Sequence, residues 1–328
     1  VRFAAVATLL AIAAPGARAG DFSQGAAGTT GSQFLILDTS ARGIALAGAM
    51  TSVTDDASSI YWNPAGLAQV PRVSATFMFA DYIAGITYND FAYAQRLNDE
   101  GVLAGGVRYL NAGQLSQTDI NGQASGNFSP YDFVAEIGWG QAIYDMSDSQ
   151  SDVLMGVNAK MIQSNLGGTS ATGFAGDIGL LSHLYTTDRS YDLGIALQNV
   201  GQGQRFDQVR DSLPTRVRFG ASFKPIPPLL LTGEGVAPIG YNAYASVGAE
   251  YAAEFQRSMV GFARVGLSSQ NYDSLGFASI PTFGLGLKLN DFTFDYAFQP
   301  MGPLGIAAHR LSISWNLPAK VSRNYRER

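Results

Sequence analysis

From Arg72 onward the chain alternates apolar and polar residues with a period of two, the spacing of a strand whose faces meet different surroundings. Between Asp291 and Gln299, Phe292, Phe294, Tyr296 and Phe298 share one face, while Asp291, Thr293, Asp295, Ala297 and Gln299 share the other. Arg216 to Phe223 repeats this, with Val217, Phe219, Ala221 and Phe223 opposed to Arg216, Arg218, Gly220 and Ser222. Tyr191-Leu193-Ile195-Leu197 and Leu311-Ile313-Trp315-Leu317 are two further apolar faces, each backed by a polar or glycine-rich one. The pattern predicts strands over 72–80, 84–96, 101–110, 128–143, 153–163, 172–184, 191–199, 214–224, 228–237, 243–254, 259–268, 281–289, 292–299 and 307–317. That is about fourteen, an even number, with lengths near the roughly 9 to 11 residues that cross a bilayer at a tilt.

The connections carry a second signal. Turns after even-numbered strands are mostly tight, as at 98–100, 225–227, 254–258 and 290–291, whereas 111–127, 200–213 and 269–280 follow odd-numbered strands and are long. Membrane barrels show this asymmetry, with short periplasmic turns and longer outside loops. Two connections break it: "DMSDSQSD" at 145–152 is long for a periplasmic turn, and the link near Asp81 is short for an outside loop.

Composition decides what the apolar faces meet. Only 14% of the residues are charged, against about 25% in soluble domains. Mean hydropathy is +0.05, and past residue 15 no run approaches the roughly 20 apolar residues of a membrane helix. A soluble two-sheet sandwich would also alternate, but its outer faces would carry far more Lys and Glu. The predicted fold is therefore all-β, an antiparallel transmembrane barrel with apolar faces toward lipid, where a charge at the midplane costs about 2 to 4 kcal/mol. A net charge of -5 and a pI near 5.0 argue against a nucleic-acid partner. With no Cys and two His, the chain offers no disulfide and little for a metal, and no cofactor motif is present.

The first residues, "VRFAAVATLLAIAAPGARAG", read as a secretory leader: Arg2 is basic, Phe3 to Ala14 apolar, and Ala17-Arg18-Ala19 a cleavage signal. The predicted organisation is a signal peptide over 1–19, a hatch over 20–71, the barrel over 72–317 and a periplasmic tail over 318–328. Residues 20–71 do not alternate. Ile44, Leu46, Ala47 and Met50 would form one face of a short helix capped by Thr39 or Ser40. In "TDDASSIYWNPAGLA" at 54–68, Pro64 pushes Asn63 out of the helical region, Gly66 permits a reversal, and Tyr61 and Trp62 supply bulk. A barrel of this size is wider than wall side chains can fill, about eight strands being the packed limit. The wedge is thus expected to fold into the lumen from the periplasmic side as a plug. Arg42 and the acids Asp55 and Asp56 would pair with lumen charges such as Asp132, Glu136, Arg216, Arg218, Glu234, Glu250, Arg264, Asp295 and Arg310, or the acids would sit in a solvated turn.

The stretch "SARGIALAGAMTSVTDDASSIYWNPAGLA" at 40–68, followed by a barrel, resembles the hatch of the FadL superfamily of outer-membrane proteins, with Asn63-Pro64-Ala65 and the following Gly66 at its signature. The "FLIL" lead at Phe34 to Leu37, "SAR" at Ser40 to Arg42, Ala45-Leu46 and the modest length are more similar to the PorV/PorQ family associated with type IX secretion. Two departures stand out: Ala47-Gly48 where the family usually has Gly-Gly, and the basic tail "PAKVSRNYRER" after the last strand.

The resemblance implies an outer-membrane location and two functions. One is a secretion accessory that docks exported proteins at its outside loops. The other is uptake of a hydrophobic small molecule that leaves sideways through the wall, which needs a local break in pairing. Candidates for that opening are Gly105 and Gly106 on the third predicted strand, Pro130 on the fourth and Pro281 entering the twelfth, the alternative being ordinary lumen packing. Lipid of the outer membrane is a partner in either case. Catalysis has little support. His183 shares the lumen face with Asp177, His309 lies on an apolar face, and no nucleophile motif accompanies either.

Overall fold

The computed structural model describes residues 30–82, 85–97, 101–146, 151–185, 190–256, 258–304 and 307–318. The expected leader at 1–19, the start of the hatch and all but the first residue of the tail lie outside them. Fourteen strands close into one antiparallel barrel. In chain order they are β1 Val73–Asp81, β2 Thr87–Arg96, β3 Val102–Asn111, β6 Tyr131–Met146, β7 Ser151–Asn165, β8 Ser170–Tyr185, β9 Ser190–Gln202, β12 Arg216–Ile226, β13 Leu229–Pro238, β14 Tyr244–Gln256, β15 Met259–Ser268, β16 Pro281–Leu289, β17 Phe292–Pro300 and β18 Ala307–Leu317. Two small hairpins stand outside it, β4 Leu115–Thr118 with β5 Ala124–Phe128, and β10 Arg205–Phe206 with β11 Val209–Arg210.

Alternation places the apolar face outward. On β12, Val217 and Phe219 are 40% and 54% exposed, while the alternating Arg216 and Arg218 are each 2% exposed. A wall greasy on the outside and charged within suits a bilayer and is the reverse of a soluble domain. The buried apolar clusters lie between the inward faces and residues 34–70. Ala57, Ile60, Leu67 and Val70 pack on Ala92, Ala94, Val102 and Ala104, and Ala41, Ile44 and Ala45 pack on Met78, Ala80, Tyr88 and Ala297. A two-sheet sandwich, with its core between layers, is excluded.

The connection that looked too long for a periplasmic turn is short, because β6 continues to Met146 and β7 starts at Ser151. Pro130 lies before β6 rather than within it, and its carbonyl accepts from the Ala112 N–H at 3.0 Å. A residue without an N–H cannot extend the ladder there. β3 pairs without interruption on both sides, Gly105 facing Tyr93 and Ile137, and Gly106 facing Ala92 and Glu136. Pro281 opens β16 and pairs with Leu267. Of the two alternatives for Gly105, Gly106 and Pro130, a break in pairing or ordinary packing, the continuous ladder at β3 accords with the second.

Candidate functional site

Residues 30–70 run the height of the lumen, and their local structure follows from short signals. Ser40 Oγ accepts from the Gly43 N–H at 3.1 Å and starts a single helical turn, Ala41–Ala45. The turn stops early. Ala47 and Gly48 take φ of 55° and 80°, and the Gly48 N–H returns to the Gly43 carbonyl at 2.8 Å, the geometry of a left-handed C-terminal cap. The longer helix face predicted through Met50 is thus cut at Ala47. A second turn, Ser59–Trp62, leads into a 3-10 helix, Pro64–Gln69, with Asn63 as its N-cap.

Such irregular backbone leaves many N–H and C=O groups without helical or strand partners, and buried ones need others. The wall supplies them. Ser74 accepts from the Ala57 N–H at 2.8 Å, and Glu234 from the Thr51 N–H at 2.9 Å. Thr232 donates to the Ala49 carbonyl at 2.9 Å, Asn158 to Ile60 at 2.9 Å, Gln198 to Trp62 at 3.0 Å and Arg108 to Leu35 at 3.2 Å. The polar lumen face therefore reads as a set of hydrogen-bond partners for one internal segment.

Charge is arranged the same way. Arg42 bonds Glu250 through Nε at 2.9 Å and Nη2 at 3.1 Å, and Asp55 through Nη1 at 3.0 Å. Glu250 also takes Arg264 Nε at 2.6 Å. Asp55 thus pairs within the hatch rather than with the wall. Asp56 pairs with no cation among the described residues and instead accepts from the Ser58 N–H at 2.9 Å and its hydroxyl at 2.6 Å. Burial raises the Asp56 carboxyl above its usual range, and the neighbouring Asp55 charge adds to this. Arg216 and Arg218 meet neither acid. Arg216 donates to the Tyr61 hydroxyl at 2.9 Å and to Gln198 at 2.7 Å, while Arg218 holds Glu234 at 2.6 Å and the Gly48 carbonyl at 2.7 Å.

Tyr61 and Trp62 form the centre. Their rings meet edge to face at 4.8 Å; the Arg108 and Arg216 guanidiniums lie 5.2 and 5.6 Å from the Tyr61 ring centroid, and Arg218 lies 5.0 Å from that of Trp62. Burial pushes the Tyr61 hydroxyl up to about 12, so at neutral pH it is a neutral acceptor for Arg216. Asn63 donates to the Thr51 and Leu180 carbonyls at 2.9 and 3.0 Å and accepts from the Ala65 N–H at 3.1 Å. Pro64, Ala65 and Gly66 are all buried. A Cβ on Gly66 would come within 2.5 Å of the Thr54 carbonyl oxygen, so the reversal there needs glycine.

Sequence reasoning missed the residues that let wall and hatch meet. Inward glycines occur on neighbouring strands at one level, Gly140 paired with Gly156 and Gly156 with Gly179, and farther round Gly194 with Gly220 and Gly248 with Gly266. A Cβ on Gly156 would fall 2.1 Å from the Pro64 carbonyl group, and one on Gly179 would fall 1.9 Å from Asn63 Oδ1. The signal was present as the glycine-rich face of each strand. Only the register between strands turns it into a belt.

At the end that bears the long connections, Thr30 bridges Ser212, and the Gly31 N–H donates to the Ser212 carbonyl at 2.9 Å. On one side of this leading stretch lies a cavity of about 490 Å³ and on the other one of about 370 Å³ lined by Ile36, Ile239, Tyr241 and Tyr244. The histidines are elsewhere. His183 Nδ1 lies 2.6 Å from Asp192, not Asp177, and the nearby Ser222 donates to that same Asp192 at 3.3 Å rather than to the histidine. His309 is on the outer wall, 2.7 Å from the Tyr296 hydroxyl.

A family model described as type IX secretion system protein PorV matches residues 21–228. The chain belongs to the PorV family. No curated protein matches it significantly. Among solved structures, the Pseudomonas putida toluene transporter TodX aligns with a TM-score of 0.54 at 12% identity, over 85% of this chain and 98% of that one. A Pseudomonas aeruginosa FadL homologue aligns with a TM-score of 0.51 at 10% identity, over 86% of this chain and 99% of that one. At these identities the likeness concerns the fold alone: this PorV-family member is a closed fourteen-strand barrel similar in fold to those two proteins.

Proposed function

We propose that the chain serves type IX secretion as a plugged barrel whose outside connections receive exported proteins. Membership of the PorV family points to secretion, and one structural observation favours docking over conduction: hatch residues touch the wall on every side of the barrel, from Ser74 on β1 through Arg108, Gly156, Thr232 and Glu250 to Ser312 on β18. A lumen filled in this way leaves the outside end as the working surface. Deleting the gene in its own host should leave secreted proteins undelivered at the cell surface, and re-expression should restore them. Normal surface delivery in the deletion strain would remove this reading.

A second reading, uptake of a hydrophobic small molecule, is favoured by the apolar-walled cavities beneath the outside connections and by the likeness to a protein described as a toluene transporter. It requires the hatch to shift, because the wall is closed at the positions considered for a sideways exit. Mass spectrometry of the purified protein separates the two: a stoichiometric apolar ligand supports uptake, and its absence together with normal growth of the deletion strain on hydrophobic substrates supports docking.

A further inference from the structure

The larger outside cavity, about 490 Å³, is walled by Phe34, Leu37, Leu110, Leu166 and Phe206, and the charged residues lining it are two acids, Asp132 and Asp211. Neither has an ion pair among the described residues. Inside the lumen, Glu136, Asp177, Glu234, Glu250 and Asp295 each face a cation. The two arginines of the small hairpin before Asp211 are turned to backbone, Arg210 to the Gly203 carbonyl and Arg205 to that of Asp207, both at 2.9 Å.

Asp132 is held in place. One oxygen of Asp132 accepts from Ser164, whose hydroxyl also receives Gln204 Nε2 at 3.0 Å; Gln204 is itself fixed by the Ala171 carbonyl at 2.9 Å and by Ser32 at 2.8 Å. The other oxygen of Asp132 makes no hydrogen bond among the described residues. Asp211 lies against the leading stretch, its Cβ 2.7 Å and its Oδ2 3.1 Å from where a side chain on Gly31 would begin. Asp132 is partly buried and Asp211 exposed, and a cationic group seated on the apolar wall beside them gains charge-assisted hydrogen bonds.

We propose that this cavity binds an apolar group bearing a protonated amine or guanidinium. The source is either a basic side chain of an exported protein, in which case the proposal rests on the docking reading, or a free amphiphilic amine.

The test uses the full chain in nanodiscs with dansylcadaverine, which carries an ammonium group, against uncharged N-butyl dansylamide. The cationic probe is expected to bind saturably and at least about tenfold more tightly than the neutral one, and to lose about tenfold in the Asp132→Asn/Asp211→Asn protein. Leu166→Trp, which adds bulk to the cavity wall from an exposed position, should also expel the probe. Equal binding of the neutral analogue, or unchanged binding by the doubly substituted protein, overturns the proposal. Displacement by a Leu-Lys-Leu peptide but not by its norleucine counterpart assigns the site to protein chains; displacement only by dodecylamine assigns it to free amines. If probe binding is lost in the double variant while secretion stays normal, the cavity stands and exported proteins are not its source, whereas the docking reading itself falls only on normal delivery in the deletion strain.

Discussion

The side-chain amide of Asn63 donates to the backbone carbonyl of Leu180 at 3.0 Å, tying the hatch directly to strand β8. The same amide holds the Thr51 carbonyl, and its oxygen caps the following helix at Ala65. Asn63→Ala strands three buried groups and should destabilise the hatch by about 2 to 3 kcal/mol. Asn63→Asp keeps the shape and the cap but cannot donate, so it should be damaging too. Thermal unfolding in detergent and the rate of proteolysis within residues 40–70 measure both.

Glycine at the interface predicts a different failure. Gly156→Ala places a methyl group 2.1 Å from the Pro64 carbonyl, where backbone rather than a flexible side chain stands in the way. The cost should be about 1 to 3 kcal/mol, with hatch displacement read as channel conductance in planar bilayers. Gly235→Ala, on the outer face with nothing within 4 Å, should leave both stability and conductance unchanged.

Ala47 occupies a conformation that suits glycine, with φ of 55°. Left-handed backbone costs a residue with a Cβ roughly 1 to 2 kcal/mol, partly offset by the greater unfolded-state freedom of glycine. Ala47→Gly should therefore stabilise the protein by about 0.5 to 1 kcal/mol, visible as a rise in Tm. An unchanged or lower Tm would mean that the contact between Ala47 and the wall at Gly266 matters more than the strain.

Tyr61 gives a pH dependence with a definite sign. Its hydroxyl is pushed up to about 12, chiefly by burial, so between about pH 10 and 12 the native state keeps a proton that the unfolded chain has lost. Stability should fall as pH rises through that window and be unaffected by this group below it. The Tyr61→Phe protein should lose less over the same window, and the difference between the two unfolding curves isolates this group.

The wall was legible because each strand has lipid on one side and a polar interior on the other, so a period of two survives in the residues. β4 and β5 were missed for the same reason. Every residue of β4 is exposed, and a strand with two similar faces carries no alternation to read. The hatch was visible as the place where alternation stops, and the Asn63-Pro64 turn as local backbone chemistry. Its partners were not. Pairing Asp55 with Arg42, and Arg216 with the Tyr61 hydroxyl rather than a carboxylate, depends on depth in the barrel, which follows from register and closure and not from any one stretch. Gly105 and Gly106 left a choice between a gap and ordinary lumen packing for a similar reason: paired glycines permit a gap but do not require one where both neighbouring strands are in register.

The internal segment is fastened at Thr30 to Ser212 at one mouth, while Arg96 grips the Ala68 and Val70 carbonyls at the other. Between these anchors its backbone is keyed into the glycine belt. A piece held at both mouths and keyed at mid-height is suited to enclosure as the wall closes, and the seam between β1 and β18, nine residue pairs from Val73 and Leu317 to Asp81 and His309, is where the first and last strands of the wall meet around it.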